Sequence, residues 1–219
     1  MPSGAIVLER VYASIGKRCC DVVASAALIL LLLPLIAIVW VAVRLVLGSP
    51  VFYFAERAGK DGRPITLVKF RSMTNATGAD GQPLPDAERL GPFGRFLRRT
   101  SLDELPQLFG VFAGSMSMIG PRPLPMRYVP RYSPRQAERL RVVPGLTGWA
   151  QIHGRNSLDW PERLELDAQY VDMLNRWYAP FVDAWIVVCT IGQLFWQATT
   201  GRGIAAPGSA TMTEFQPLR

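Results

Sequence analysis

Between Val22 and Val43 the chain carries 22 consecutive residues without a charge, most of them apolar, before Arg44 ends the run. Downstream the pattern changes period. After Gly48-Ser49-Pro50, the β-branched and aromatic runs Val51-Phe52-Tyr53-Phe54 and Ile65-Thr66-Leu67-Val68-Lys69-Phe70 flank a turn containing Gly59-Lys60-Asp61-Gly62, which predicts a β-hairpin. Residues 74–86 are polar and rich in Gly and Pro, and predict a mobile loop. Helical spacing follows over 87–98 and 102–113. Ser133-Pro134 with Gln136 opens a third helix: a hydroxyl cap, a proline at the first helical position and a glutamine able to close a capping box. Residues 158–176 and 180–198 predict two more helices, the last of them apolar. From Thr199 onward, Gly201, Gly203, Pro207 and Gly208 predict a loosely ordered tail. The fold class is therefore α+β, mainly helical. Its expected parts are a membrane-inserted segment over 1–48, a compact domain over 49–198 and a tail over 199–219.

A signal peptide would have a shorter apolar core and a small-residue cleavage site, so the apolar run is expected to stay in the mature protein. At about 1.5 Å per residue its helix would reach roughly 33 Å, enough to cross a bilayer. Two features oppose a simple span. Pro34 sits near the middle, where it removes a backbone donor and crowds the preceding turn. Arg10, Lys17 and Arg18 precede the run while Arg44, Arg57 and Lys60 follow it, and cytoplasmic flanks are the ones that collect Lys and Arg. These features favour a re-entrant helix hairpin, broken at Pro34 and dipping into one leaflet. The competing arrangement is a kinked full span, since such kinks are tolerated in spanning helices. Helix 180–198 carries Trp185, Phe195 and Trp196 with Asp183 and Gln193, which suits either a helix lying in the headgroup plane or an ordinary core helix.

Charge narrows the chemistry. The formal net charge is +7, and the bases are 21 Arg against 3 Lys. Guanidinium stays charged at any relevant pH and presents a planar fork of donors to phosphate or carboxylate. Arg122, Arg127, Arg131, Arg135, Arg139 and Arg141 form a basic stretch opposed only by Glu138, as expected of a solvated helix face or of a surface that meets anionic membrane lipids. Nucleic acid is excluded as a partner, because no binding module accompanies these arginines and none would explain the apolar run. Cys19, Cys20 and Cys189 make neither a disulfide framework nor a metal-ligand spacing, and fit a reducing compartment. With His153 the single histidine, a metal cluster built on several histidines is excluded.

Asp103 and Glu104 stand side by side after Arg98 and Arg99, and shortly before the arginine-bearing turn Gly120-Pro121-Arg122-Pro123. Read locally, Ser101-Leu102-Asp103-Glu104 is a capping-box sequence in which Glu104 bonds back to the backbone. Read with its surroundings, it is a carboxylate among cations at a helix start, an arrangement suited to a nucleophile that attacks phosphorus. Repulsion from a diphosphate would be offset by Arg and a divalent cation.

Four ordered motifs resemble those of the bacterial sugar transferases, the monotopic polyprenol-phosphate phosphoglycosyl transferases. They are Lys69-Phe70-Arg71-Ser72-Met73, Ser101 to Leu108, Gly114 to Pro123, and Pro144 to Ile152 with Gly154-Arg155-Asn156. The size is similar to that of the small branch containing the bacillosamine-phosphate transferase of N-linked glycosylation. The resemblance implies transfer of a sugar 1-phosphate from a UDP-sugar to undecaprenyl phosphate, with release of UMP, at the cytoplasmic face of a bacterial inner membrane. It implies Asp103 as nucleophile and Mg²⁺ ligand, Glu104 as its dyad partner, and Arg71, Arg98, Arg122 and Arg155 as phosphate-binding candidates. An N-acetylated amino sugar is the expected donor sugar, a hexose the alternative. A non-catalytic membrane scaffold is the rival reading of the same motifs. Oligomeric state is left open, a homodimer included. The chain departs from the family pattern at Leu33, where a polar residue often precedes the membrane proline, and at Gly110, Ala113 and Ser115. The last three bear on hydrogen bonding after the dyad helix.

Overall fold

A computed structural model describes residues 12–154, 158–200, 215 and 216. Tyr12–Gly16 form one π-helical turn that leads into α1, Lys17–Val46. The expected break at Pro34 is absent: α1 is one continuous helix with Pro34 inside it. A proline removes one backbone bond, at a cost of about 3 kcal/mol, and long runs of Leu, Ile, Val and Ala on both sides carry the helix past it. Thirty residues reach roughly 45 Å, and by length and composition α1 can cross a membrane.

Both ends of α1 are tied to the body of the protein. At its start, the guanidinium of Arg18 donates to the Val111 and Phe112 carbonyls at 2.6 and 2.7 Å. Asp21, one turn on, accepts from Ser117 Oγ at 3.0 Å and Met118 N at 2.8 Å. At its other end Val39 and Val43 pack with Val51, Phe70 and Leu97. Arg71 closes this end by donating to the carbonyl of Leu47, which caps the helix, and to those of Gly48 and Ser49 just beyond it. Between the two ties, Leu30 and Leu31 are each 74% exposed, a bare apolar flank.

The hairpin forms as expected and is longer. Strands β1 (Phe52–Ala58) and β2 (Pro64–Phe70) pair antiparallel from Phe52 opposite Phe70 to Ala58 opposite Pro64. Asp61 and Gly62 at φ 56° and 71° turn the chain between them. The 74–86 segment holds a small closed turn, with Thr77 bridged to Pro83 and Gly78 N bonded to Gln82 O at 2.8 Å. Prolines split two of the expected helices. The first becomes a turn at Asp86–Arg89 and helix α2 at Pro92–Arg99, because Pro92 disfavours helical geometry at Gly91 and then starts a new helix at its own first position. The second becomes a 3₁₀ turn, Leu102–Glu104, and helix α3, Gln107–Ala113, separated at Pro106. The Ser133 capping box is present, with Ser133 Oγ accepting from Gln136 N and Gln136 Oε1 from Ser133 N.

Two short strands escape sequence periodicity altogether. β3 (Ser117–Ile119) and β4 (Gly145–Thr147) pair in parallel and bring the Gly120 turn against the Pro144–Gly148 run. Their backbones touch: a Cβ on Gly145 would lie 2.0 Å from Gly120 N, and one on Gly148 would lie 2.2 Å from Gly120 O. Helix α4 (Trp160–Leu174), capped by Asp159 Oδ1 on Glu162 N, backs this pair. Helix α5 (Ala179–Thr200) packs on it through Ile186, and Asp183 accepts from Tyr12, Lys17 and Tyr170, each at 2.7 Å. The opposite side of α5 is apolar and exposed, with Phe195 at 73%. It too can cross a membrane by length and composition, and its fully buried Ile186 and exposed aromatics combine the two roles expected for it.

The basic stretch does not form a bare headgroup-binding face. Arg122 pairs with Glu104, Arg135 with Glu165 and Asp172, Arg141 with Glu138, and Arg139 with Asp167 in a fully buried bond. Arg131 donates to the Phe215 carbonyl at 2.8 Å, and Arg127 lies over the Tyr128 ring. Phe215 also corrects the expectation of a loose tail at that point: it is 2% exposed among Tyr128, Tyr132, Leu164 and Trp160. Phe215→Ala is expected to lower unfolding stability by about 3 kcal/mol, read as a shift of the denaturant midpoint.

Candidate active site

Ser101 adopts the left-handed conformation, φ 56°, and makes no side-chain cap bond, so the expected capping box is not formed. Glu104 is thereby free to leave the backbone. The tight turn directs it to two cations: Lys69 Nζ at 2.5 Å from Oε1, and Arg122 with Nη2 at 2.6 Å from Oε1 and Nη1 at 3.5 Å from Oε2. Lys69 reaches it because alternate residues of β2 share one face. Arg122 is held from behind. Arg139 Nη2 donates to the Arg122 carbonyl at 2.6 Å, and Asp167 fixes Arg139 through two bonds at 3.0 and 2.8 Å.

Asp103 is 7% exposed and forms no ion pair among the described residues. Burial, and then the neighbouring Glu104 charge, push its pKa up to about 6; Lys69, Arg98 and Arg122 oppose the rise. Burial also disfavours charge on Glu104, yet Arg122 and Lys69 outweigh it and hold that carboxyl well below the usual range. The two carboxyls are thus pushed apart, one fixed as an anion and the other poised to titrate near neutrality.

The dyad opens onto a cleft of about 1590 Å³. Lys69, Arg98 and Arg122 line it beside Asp103, while Leu28 and Leu32 of α1 and Val187 and Ile191 of α5 give it an apolar wall. A polar end next to an apolar wall suits a ligand with a charged head and a hydrocarbon tail. Of the arginines expected to bind phosphate, Arg98 and Arg122 line the cleft beside Asp103. Arg98 Nε also donates to Ser72 Oγ at 3.0 Å. Arg71 lines the cleft too, but its guanidinium is engaged with the carbonyls that end α1. Arg155 lies outside the described residues.

Lys69 and Arg163 were not legible as site residues. The Lys69 signal was present, one basic residue in an otherwise uncharged strand, but its partner is distant in sequence. Arg163 is 3% exposed in the cleft wall beside Trp160. Burial, then the nearby Arg122, push its guanidinium down to about 10, with Asp167 opposing.

No three His, Cys, Asp or Glu side chains among the described residues gather to hold a metal by themselves. Glu104 has both oxygens on cations, which leaves Asp103 as the available carboxylate of the dyad. A single carboxylate fits Mg²⁺, which commonly takes one or two carboxylates and completes its shell with substrate phosphates and water.

The model of the family described as bacterial sugar transferase matches residues 12–197. The chain is 46% identical to the "Uncharacterized sugar transferase EpsL" of Bacillus subtilis (strain 168) over 175 residues, covering 80% of this chain and 85% of that protein. It is 38% identical over 181 residues to the UDP-glucose:undecaprenyl-phosphate glucose-1-phosphate transferase of Klebsiella pneumoniae, covering 80% of this chain and 39% of the relative. The undecaprenyl-phosphate galactose phosphotransferase of Salmonella typhimurium is 35% identical over 178 residues, 74% of this chain and 37% of its own length. The chain thus spans well under half of these two longer relatives. The matched segment runs from the first turn before α1 into the last turn of α5 and takes in the whole dyad cleft, so the chain belongs to the bacterial sugar transferase family.

Proposed function

We propose that this protein transfers a sugar 1-phosphate from a UDP-sugar to undecaprenyl phosphate, through a covalent intermediate on Asp103. The observation that carries the reading is a buried carboxylate, ringed by Lys69, Arg98 and Arg122, at the charged end of a cleft with apolar walls. Asp103 attacks the β-phosphorus, and the bond to the oxygen bridging the α-phosphate breaks, so that UMP departs. An oxygen of undecaprenyl phosphate then attacks the same phosphorus and the Asp103–phosphorus bond breaks, giving undecaprenyl-diphosphate-sugar. Arg122, Arg98 and Lys69 neutralise charge on the transferring group; Glu104 stays ionised and fixes two of them. Mg²⁺, held by Asp103 together with the diphosphate, would supply further charge neutralisation. The names of the relatives carry glucose and galactose, which favours a hexose donor over the N-acetylated amino sugar and leaves no specific support for the bacillosamine branch. The test is incubation of purified protein with Mg²⁺, undecaprenyl phosphate and a panel of UDP-sugars. UMP release with at least one donor is expected; a membrane scaffold releases none.

Attachment is proposed to be monotopic, on the cytoplasmic face of the inner membrane. Both ends of α1 pack on one domain, through Arg18 and Asp21 at one end and Val39 and Val43 at the other, while the apolar flank between them and the aromatic face of α5 are exposed. In a background lacking Cys19, Cys20 and Cys189, single cysteines near residues 12 and 48 are both expected to be shielded from a membrane-impermeant reagent in intact cells. Labelling of one end alone would establish a full span.

A further inference from the structure

Gln151 has a feature that neither the dyad nor the fold accounts for. Its side chain is 5% exposed and lines the cleft, yet neither Oε1 nor Nε2 has a hydrogen-bond partner among the described residues. Buried side-chain amides are ordinarily satisfied, because a desolvated donor and acceptor left without partners oppose folding. Nearby polar groups of the same wall make their bonds elsewhere. Thr147 Oγ1 meets Thr190 Oγ1 at 2.7 Å, and Asp183 accepts from Tyr12, Lys17 and Tyr170.

The backbone keeps the amide in place. Gln151 N donates to the Gly148 carbonyl at 3.0 Å within the turn Trp149–Ile152. Gly148 in turn leaves space beside the carboxamide, since a Cβ there would lie 2.9 Å from Gln151 Oε1. The parallel β3–β4 pair sets this turn against the Gly120 loop that carries Arg122. Gln151 is therefore placed by the same framework as the phosphate-facing arginine.

We propose that Gln151 is a specificity residue for the donor, reading a group that presents a hydrogen-bond donor and an acceptor side by side. A carboxamide offers the complementary pair. A UDP-sugar carries three such groups: the imide edge of uracil, the vicinal hydroxyls of the ribose and the adjacent hydroxyls of the transferred sugar. The inference rests on the transfer reaction proposed above.

Gln151→Leu removes both polar atoms at nearly constant volume, and Gln151→Glu retains an acceptor while replacing the amide donor. Each is measured for KM and kcat with the UDP-sugar that wild type uses best, for inhibition by UMP, for preference across the sugar panel, and for Tm without ligand. Both variants are expected to raise the donor KM by about 10- to 100-fold. Gln151→Leu is also expected to raise Tm, because it removes an unsatisfied buried amide. A parallel rise in the inhibition constant of UMP, which has the base and the ribose but not the transferred sugar, assigns the uridine end. Unchanged UMP inhibition with an altered sugar preference assigns the sugar hydroxyls. Donor KM, UMP inhibition and sugar preference all at wild-type values, whatever happens to Tm, would overturn the inference. Wild-type protein that turns over no UDP-sugar would instead overturn the reaction itself, so the two failures are distinguishable.

Discussion

Asp103→Asn is expected to lower UMP release by about a thousandfold or more, and to abolish the covalent adduct on the peptide containing residue 103, while making the protein more stable. The loss follows from chemistry: a carboxamide is no substitute for a carboxylate attacking phosphorus. The gain follows from burial. The Asp103 pKa is raised from 3.8 to about 6, so its ionised form is disfavoured by the fold. A raised folded-state pKa contributes stability that is fully present below the unfolded value and disappears as pH rises through the folded one. At pH 8 the wild type carries the whole cost of that charge, of order 1–3 kcal/mol, and the Asn variant carries none. The wild-type Tm should therefore fall relative to the variant between pH 4 and pH 7 (about the interval between the two pKa values), and kcat/KM should lose activity below about 6 as Asp103 is protonated. Near-normal UMP release from the Asn variant would move the nucleophile elsewhere. An unchanged Tm difference across that pH interval would show that burial does not act on Asp103 as described.

Arg122→Ala is the second large effect. Arg122 holds Glu104 by a close two-pronged contact, and Glu104 is also the anchor for Lys69, so one truncation loosens two cations at once. Turnover is expected to fall by at least about 100-fold, the scale of removing one preorganised charge stabiliser. Stability should fall less, by about 1–2 kcal/mol, because both side chains of the pair keep some solvent contact. Arg122→Lys retains charge without the planar fork and should recover stability more than rate. The Lys69→Ala, Arg122→Ala double variant separates independent from shared roles. Fully additive losses of rate in that cycle would mean that Glu104 does not couple the two cations.

The chain's linear order revealed the parts whose cause is local. The apolar run, the hairpin, the Ser133 cap and the existence of α4 and α5 follow from period and from residue chemistry within a few positions. Helical spacing runs across Pro92 and Pro106 in the sequence, yet each proline ends one helical unit and begins another. At Pro34 the helix continues instead of breaking, because the apolar flanks sustain it through the proline. The departures at Gly110, Ala113 and Ser115 are answered from far away, since Arg18 of α1 caps the end of α3. The Arg122–Arg141 stretch resembles a surface patch in the sequence because each of its acidic partners except Glu138 lies many residues distant.

By itself the sequence determined which residue types are available: two adjacent carboxylates, an arginine-rich complement of bases, a membrane-compatible helix and the motifs of the sugar transferase family. Tertiary structure alone decided how they are used. It turned Ser101 left-handed and so took Glu104 out of a backbone cap. It brought Lys69 and Arg122 onto Glu104, left Asp103 buried without an ion pair among the described residues, and set Arg71 on the end of α1. The reason is physical: a carboxylate's role depends on its dielectric surroundings and on charges within a few ångströms, and neither quantity is a property of neighbours along the chain.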